Sequence, residues 1–470
     1  MSGRPAPLPN GFAIRLAPGT RVLAGGEVLI GGSPTRLLRL RPRAAALLAG
    51  GRLTVTDPGT AALARRLLDT AVAHPDPAAT TAPIPGPGEV TVVIPVLGDQ
   101  AGIDRLLAAL DPQLPVIVVD DGSPVPIRAM RPGTRVLRHE SPRGPAAARN
   151  TGLAAVTTAL VAFLDADTVP GPDWLTSLLT HLADPACVLV APRITALTGS
   201  GSALARYEAL RSALDMGPDP APVIPLSPVA YVPSAALLVR REALAGGFDE
   251  QMHVAEDVDL CWRLHAAGAR MRYEPAAAVA HDHRTGHRAW LARRAFYGTG
   301  AAALDRRHAG TVAPLVLTGW SALAAAGLAS GTRTGAAVAA AATARAGWRM
   351  RPVVAGIPRA DLEAARLTLR GLRGACAQTA QSALRHHWPI ALVAAAVSRR
   401  ARRLLAAAAV IDGAIDWYRR GGPGTLDPVR YIAYRRLDDL AYGAGLWTGA
   451  VRTRRIGALL PRSGTRTAGR

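Results

Sequence analysis

The chain has 470 residues with 55 Lys+Arg against 34 Asp+Glu, a net charge of +21 carried almost wholly by arginine. That length allows two or three domains, each burying its own core, and no tract is polar enough to be intrinsically disordered. The three cysteines lie far apart and form no C-x-x-C pair, so neither a disulfide framework nor a zinc cluster is suggested and a reducing compartment fits, while the charge points to anionic lipid, a nucleoside diphosphate or nucleic acid as partner.

Residues 1–10 lack the apolar core of a secretory signal, so catalysis is expected to face the cytosol. Residues 1–75 read as a small α+β module. Arg21 to Ile30 predicts a hairpin turning at Gly25-Gly26, Arg36 to Leu40 a further strand, and Ala44 to Leu48 a short helix stopped by Gly50-Gly51. A second helix follows Asp57-Pro58, with Asp57 as N-cap and Leu63, Leu67 and Leu68 on one face. This winged-helix-like layout resembles the peptide-recognition domains attached to enzymes that modify ribosomally made peptides; a structural cap or a DNA-binding wing are the competing readings. Residues 76–88, rich in Pro, Ala and Thr, read as a linker.

The β-branched run Val90 to Pro95 predicts a strand buried on both faces of a parallel sheet. A helix with Ile103, Leu106, Leu107 and Leu110 on one side follows, then a second buried strand, Pro115 to Val119, ending in Asp120-Asp121-Gly122-Ser123. Strand, helix, strand and terminal acids open a nucleotide-binding βαβ unit. The chain has neither G-x-G-x-x-G nor G-x-x-x-x-G-K-[ST] here, so side chains must hold the nucleotide. Arg143 to Asn150 leads into a helix of small residues, from which Arg149 can pair with acids at the sheet edge or with phosphate.

The apolar run Val161 to Leu164 predicts another buried strand, ending in Asp165-Ala-Asp167, with Thr168, Pro170 and Gly171 as turn residues. Acids at a strand's carboxyl end face the ligand crevice of an open α/β sheet. An Asp-x-Asp there can hold a hard divalent cation, and the cation a diphosphate, although the tripeptide alone is more often a solvated turn. Glu256-Asp257 precedes a helix carrying Val258, Leu260, Leu264 and Ala267, where the helix dipole favours negative charge. His281-Asp282-His283 follows Ala276 to Ala280, a further strand.

Taken in order, Val92-Val-Ile-Pro95, Asp120-Asp-Gly-Ser123, Ala148-Arg-Asn-x-Gly152, Asp165-Ala-Asp167, Gly246-Gly-Phe-Asp249 and Glu256-Asp257 resemble the GT-A glycosyltransferases of family 2 over about 89–288. The resemblance implies an α/β GT-A domain at 89–290, with a Rossmann-like, mostly parallel sheet. It further implies contact of Asp121 with a uracil-type base and of Asp120 and Asp165 with ribose, Arg149 among the donor-binding residues, and Asp167 as ligand of Mg2+ or Mn2+. His281 becomes a second metal ligand, preferred to His283 because it directly follows the strand, and Asp257 the general base of an inverting displacement.

Residues 291–470 read as an α-helical, Ala/Arg-rich tail. Residues 311–330 are uncharged and just long enough to span a bilayer core, though poor in strongly lipophilic side chains and interrupted by Pro314. Gly335 to Ala344 and Trp388 to Val397 are shorter apolar runs near arginine, suited to interfacial or packed helices, and Arg399-Arg400, Arg402-Arg403 and Arg419-Arg420 favour an anionic inner leaflet. The competing reading is a solvated basic face. No tryptophan follows an arginine, so the Q-x-x-R-W element of processive polysaccharide synthases is missing.

A peptide-recognition-like module, a family 2 domain and an apolar, basic tail together resemble the glycosyltransferases of the mycofactocin system. This implies transfer of glucose from UDP-glucose onto a peptide-derived redox cofactor to build a short β-glucan chain. A cell-envelope enzyme with a lipid-linked or polysaccharide acceptor is the alternative. A non-catalytic scaffold binding nucleic acid or peptide is disfavoured because every expected acid is present, and no nucleic-acid partner is expected.

Overall fold

The computed structural model describes residues 6–197, 201–283 and 286–464; residues 1–5, part of the stretch read for a secretory signal, lie outside it. The chain divides into two compact units, Met1–Gly199 with Ser212–His283, and Ser200–Arg211 with Arg284–Arg470.

The first unit begins with the small module. Strand β1 (Ala13–Leu16) pairs antiparallel with both β5 (Arg52–Thr54) and β6 (Ala73–Pro75), while β2 (Arg21–Leu23), β3 (Val28–Gly31) and β4 (Arg36–Arg39) form a second antiparallel sheet. Helices α1 (Pro42–Leu47) and α2 (Pro58–Asp69) complete it. Asp57 caps α2 as its sequence position suggests: its Oδ1 accepts from the N–H of Gly59 at 2.7 Å and of Thr60 at 3.1 Å, and Thr60 Oγ1 accepts from Asp57 N–H at 3.0 Å. Such a reciprocal cap contributes about 1 kcal/mol. The proline-rich stretch after β6 folds back on the module, Thr81 N–H donating to Gly11 O at 2.9 Å. Bidentate pairs of Arg65 with Asp184 and of Arg270 with Asp69 tie the module to the large sheet.

That sheet contains β7 (Val90–Val96), β8 (Val116–Asp120), β9 (Thr134–Arg138), β10 (Leu160–Leu164), β11 (Thr168–Pro170), β12 (Cys187–Ala196), β13 (Ala221–Pro222), β14 (Ala236–Arg240) and β15 (Arg270–His281). Its helices are α3 (Gln100–Ala109), α4 (Pro145–Ala155), α5 (Trp174–His181) and α7 (Glu256–Ala266); α6 (Ala203–Arg211) belongs to the second unit. The order β10-β7-β8-β9 is parallel throughout, whereas β14 runs antiparallel between β10 and β12. The result is a mixed sheet with a parallel, Rossmann-like half. The chain leaves β7 toward β8 and β9, then returns to place β10 on the other side of β7, so a topological switch point lies at the carboxyl ends of β7 and β10. Thr168 to Pro170, read as turn residues, instead form an edge strand pairing with β15, a position that tolerates Pro170.

Every residue of β7, β8 and β10 is buried, as their mainly apolar sequences require, with Thr91 and Asp120 the polar members. Helix α4 lies close on β7 because Gly152 has no side chain. A Cβ there would sit 2.3 Å from Val93 Cγ1. Gly152→Ala is therefore expected to destabilise the fold by about 1–3 kcal/mol, read as a lower thermal unfolding midpoint.

The second unit is helical: α6 with α8 (His287–Arg307), α9 (Gly319–Ala329), α10 (Arg333–Met350), α11 (Ala360–Gln381), α12 (Trp388–Val397), α13 (Arg399–Arg419) and α14 (Pro428–Thr453). Helices α8 and α14 approach so closely that a Cβ at Gly298 would lie 2.1 Å from Tyr442 O, and one at Gly445 1.7 Å from Ala295 O. A buried ionic network accompanies them: Arg294 with Glu208 at 2.6 Å, Arg385 with Asp439 at 3.0 Å, and Arg435 with Asp412 at 3.0 Å. The expectation that 311–330 is just long enough to span a bilayer is corrected here. Val316–Leu317 forms a short parallel strand pair with Arg462–Ser463, and the helix that follows has only 11 residues. Its small residues serve helix packing, since a Cβ at Gly327 would lie 2.5 Å from Gly335 O. Among the described residues no helix is long and apolar enough to cross a membrane.

Candidate active site

Arg149 links the acids at the end of β10 to those at the start of α7. Its side chain is 3% exposed, donating from Nη2 to Asp165 Oδ1 at 2.7 Å and from Nη1 to Glu256 Oε1 at 3.0 Å. Burial opposes its charge, but Asp165 and Glu256 outweigh that and hold its pKa above the ordinary value. Of the partners open to it in the sequence, the sheet-edge acids are thus the ones it meets. A second link runs through the entry to β14: Asp165 N–H donates to Ala235 O at 3.0 Å, and Ser234 N–H to Asp257 Oδ2 at 3.3 Å. Arg149→Met leaves two carboxylates uncompensated, so a loss of about 3–5 kcal/mol is expected, visible as a much lower melting temperature. Lysine should rescue poorly, because one ammonium cannot reproduce the two-armed geometry.

Asp257 lies half-buried in the first turn of α7, with Val258 N–H donating to its Oδ1 at 2.8 Å. Burial and then the adjacent Glu256 carboxylate push its pKa up to about 7, against the pull of the Val258 N–H, Arg149 and the Ser234 N–H. A carboxyl group titrating there is matched to proton abstraction at neutral pH. The helix begins from Ala255, which adopts the left-handed conformation at φ +65° and offers no side-chain cap.

The neighbouring Gly246-Gly-Phe-Asp249 loop is held by α4. Asn150 Oδ1 accepts from Phe248 N–H and Asn150 Nδ2 donates to Phe248 O, both at 2.8 Å. Gly247 has φ +56°, and a Cβ there would lie 2.6 Å from Asn150 Oδ1. From α7, Arg263 Nη2 donates to Gly247 O at 2.7 Å.

Asp120 and Asp121, expected at the ribose and base, are buried and already engaged. Asp120 accepts from the N–H of Ser123 at 2.9 Å and of Ile127 at 3.2 Å, and from Arg138 Nη1. Burial raises its pKa, but these hydrogen bonds prevail and hold it below the usual carboxylate range. Asp121 accepts from the N–H of Arg143 at 2.9 Å and of Gly144 at 2.8 Å, and shares a 2.7 Å hydrogen bond with His139 Nδ1. A carboxylate offers about four lone-pair sites, so each Asp retains room for roughly one further donor. Asp120 thus shapes the loop that leaves β8, and Asp121 the turn that leads into α4.

Asp167 and His281 come together across the sheet edge. Thr168 pairs directly with His281, bringing His281 Nε2 to 3.4 Å from Asp167 Oδ1, and the Asp167 side chain is 41% exposed. His283 Nδ1 lies 3.2 Å from His281 Nδ1. Burial, together with Asp165 and Asp99, raises the Asp167 pKa despite His281. One carboxylate and one imidazole amid crowded negative charge fit a divalent cation. Among the described residues no group of three His, Cys, Asp or Glu converges as a metal cage, so a cation here would complete its shell from diphosphate and water.

Glu256 stood beside the expected base in the sequence, yet its pairing with Arg149 required the fold. Arg138 and His139 carried no motif; they are recruited from the edge strand β9 and the residue after it.

The family model for glycosyl transferase family 2 matches residues 91–244. The chain is 50% identical over 466 residues to the pre-mycofactocin glycosyltransferase of Mycobacterium tuberculosis (strain CDC 1551 / Oshkosh), covering 97% of this chain and 98% of that protein. Among solved structures, a mannosyltransferase from Pyrobaculum calidifontis in complex with GDP-Man and Mn2+ is 21% identical over 71% of this chain and 90% of its own, with a TM-score of 0.35. Glucosyl-3-phosphoglycerate synthase from Mycobacterium tuberculosis, with Mn2+, UDP and glucosyl-3-phosphoglycerate, is 23% identical over 46% of this chain and 79% of its own, with a TM-score of 0.32. On the family-model match and the identity that runs through nearly the whole chain, the protein is a glycosyltransferase and belongs to glycosyl transferase family 2.

Proposed function

We propose that this enzyme transfers glucose from UDP-glucose, with inversion, onto a peptide-derived redox-cofactor precursor of the mycofactocin type, and repeats the transfer to build a short β-glucan chain. The 50% identity to a pre-mycofactocin glycosyltransferase supports the acceptor. The observation that carries the chemistry is the place of Asp257, one half-buried carboxyl group in the first turn of α7, joined to the entry of β14 through Ser234 N–H, where burial and the Glu256 carboxylate push its pKa up to about 7. Direct displacement needs one such base.

In this reading Asp257 takes the proton from an acceptor hydroxyl as that oxygen attacks the anomeric carbon from the face opposite the diphosphate. The bond to the leaving phosphate oxygen breaks with its electron pair, releasing the nucleoside diphosphate. Asp167 and His281 would hold a divalent cation, Mg2+ or Mn2+, which neutralises the charge developing on that leaving group. Asp165 faces the ribose while Arg149 fixes it, and Asp120 and Asp121 meet the nucleoside with their remaining acceptor capacity. Residues 1–75 would receive the peptide-derived part of the acceptor, 89–290 catalyse, and 291–470 rest on an anionic membrane surface at the cytosolic face.

Differential scanning fluorimetry against a panel of nucleotide sugars, with and without Mn2+, tests the donor, because a specific ligand stabilises the fold by mass action. UDP-glucose should raise the melting temperature only with metal. A shift with another donor alone would sink the glucose assignment, and no shift with any donor would sink the donor site itself.

A further inference from the structure

The helical unit exposes apolar side chains where arginine is concentrated. Helix α12 buries none of its 10 residues, and Ile390, Val393 and Val397, one helical stripe at i, i+3 and i+7, are 58%, 66% and 82% exposed. On α13, Leu404, Ile411, Ile415 and Tyr418 form a second exposed stripe at i, i+7, i+11 and i+14. The opposite side of α13 faces α14: Asp412 pairs with Arg435 and Arg436, and a Cβ at Gly413 would meet Ile432 Cγ1 at 2.8 Å. The apolar stripe is therefore the side that α14 leaves uncovered.

Between the stripes stand Arg399, Arg400, Arg402 and Arg403, all exposed and none paired with a carboxylate among the described residues. They occupy the opening of α13, where the helix dipole disfavours positive charge. Arg402 Nη1 donates to Ala395 O at 3.2 Å near the carboxyl end of α12, but among the described residues no carboxylate offsets the four charges, whereas an anionic surface would. Arg400, one turn before Leu404, heads the apolar stripe; the stems of both lie against Gly331 in the turn between α9 and α10, so the open part of the stripe is Ile411, Ile415 and Tyr418.

We propose that α12 and the outer face of α13 form an interfacial anchor that lies in the plane of an anionic lipid bilayer, apolar stripes among the acyl chains and the four arginines on the headgroup phosphates. A helix of α12's length measures about 15 Å, half the roughly 30 Å hydrocarbon core, so it lies along the membrane and does not cross it. Charge decides between lipid and a second copy of this chain. Two such faces meeting would bring arginine clusters together, while anionic lipid neutralises them. The inference rests on the membrane reading above and assigns it to particular residues.

The test is flotation of the full-length protein with vesicles of phosphatidylglycerol and phosphatidylcholine, compared with phosphatidylcholine alone. The parent chain should float with the anionic vesicles and be released by salt. An R399Q/R400Q/R402Q/R403Q variant should lose at least about a hundredfold in partitioning, and an I390S/V393S/V397S variant should also detach. Both should keep the parent's melting temperature and donor turnover, since neither set is buried. As a second readout, V397C in a C376S background, labelled with an environment-sensitive dye, should shift to the blue on anionic vesicles. If the parent chain floats and both variants float equally well, the anchor is elsewhere and only this assignment falls. If the parent ignores anionic vesicles, the membrane reading falls with it. Self-association that the I390S/V393S/V397S variant abolishes, without vesicle binding, would make the occupant a second copy and overturn the proposal.

Discussion

Asp257→Asn is expected to slow transfer by about a hundredfold to ten-thousandfold while raising the melting temperature of the free protein at pH 8. The rate falls because an amide cannot accept the acceptor's proton. The stability gain follows from linkage. Folding lifts the Asp257 pKa from near 3.8 to about 7, so the folded state prefers the protonated carboxyl. That preference stabilises the fold fully below the unfolded pKa and is lost as pH rises through about 7, where ionisation in the site carries its whole cost of up to about 4 kcal/mol. Asparagine cannot ionise, though its single carbonyl oxygen keeps only one of the two backbone hydrogen bonds, so the gain is a fraction of that figure. The increment should fade as the pH drops toward 4, where the parent carboxyl is itself protonated. In the parent enzyme the transfer rate at limiting substrate should rise about tenfold per pH unit below 7 and level off above it. An Asn variant that transfers at the parent rate would remove Asp257 from the chemistry.

Asp167→Ala should lower metal-dependent turnover by at least about a hundredfold and abolish the metal-dependent thermal shift with donor. The folded protein should tolerate the change, because burial, Asp165 and Asp99 already disfavour the Asp167 charge and its side chain is 41% exposed. Loss of donor response with intact thermal stability is therefore the expected pair of results. A retained Mn2+-dependent shift would show that the cation is held elsewhere. His281→Ala should give a weaker version of the same phenotype, since Asp167 alone still offers a carboxylate.

Three strands of the parallel half were legible because strands buried on both faces must be mainly apolar, as Val90–Val96 is but for Thr91, Val116–Asp120 up to its terminal acid, and Leu160–Leu164 throughout; the edge strand β9, mostly exposed, carried no such signal. The Asp57 cap and the acids at strand ends were legible for a related reason, being local chemistry that sequence spacing preserves. What could not be read were partners fixed only by the sheet. Asp120 looks like a free ligand in Asp120-Asp-Gly-Ser123, yet Arg138 reaches it from the edge strand β9. Glu256 looks like one more acid at a helix start, yet Arg149, 107 residues away, makes it part of the site. Residues 311–330 misled for the opposite reason. An uncharged run of Ala, Gly and Leu has the composition of a weak membrane span and of a close-packed helix alike, and the approach of Gly327 to Gly335 puts it in the second class.

The proposed transfer is a single inverting displacement with Asp257 as base. Its most direct test is the anomeric configuration of the first glycosidic bond formed from UDP-α-glucose, read from the coupling constant of the anomeric proton by NMR. A β-linked first product is expected. An α-linked first product would contradict a single displacement, because retention requires a second covalent or ion-pair step that one base on the opposite face does not provide.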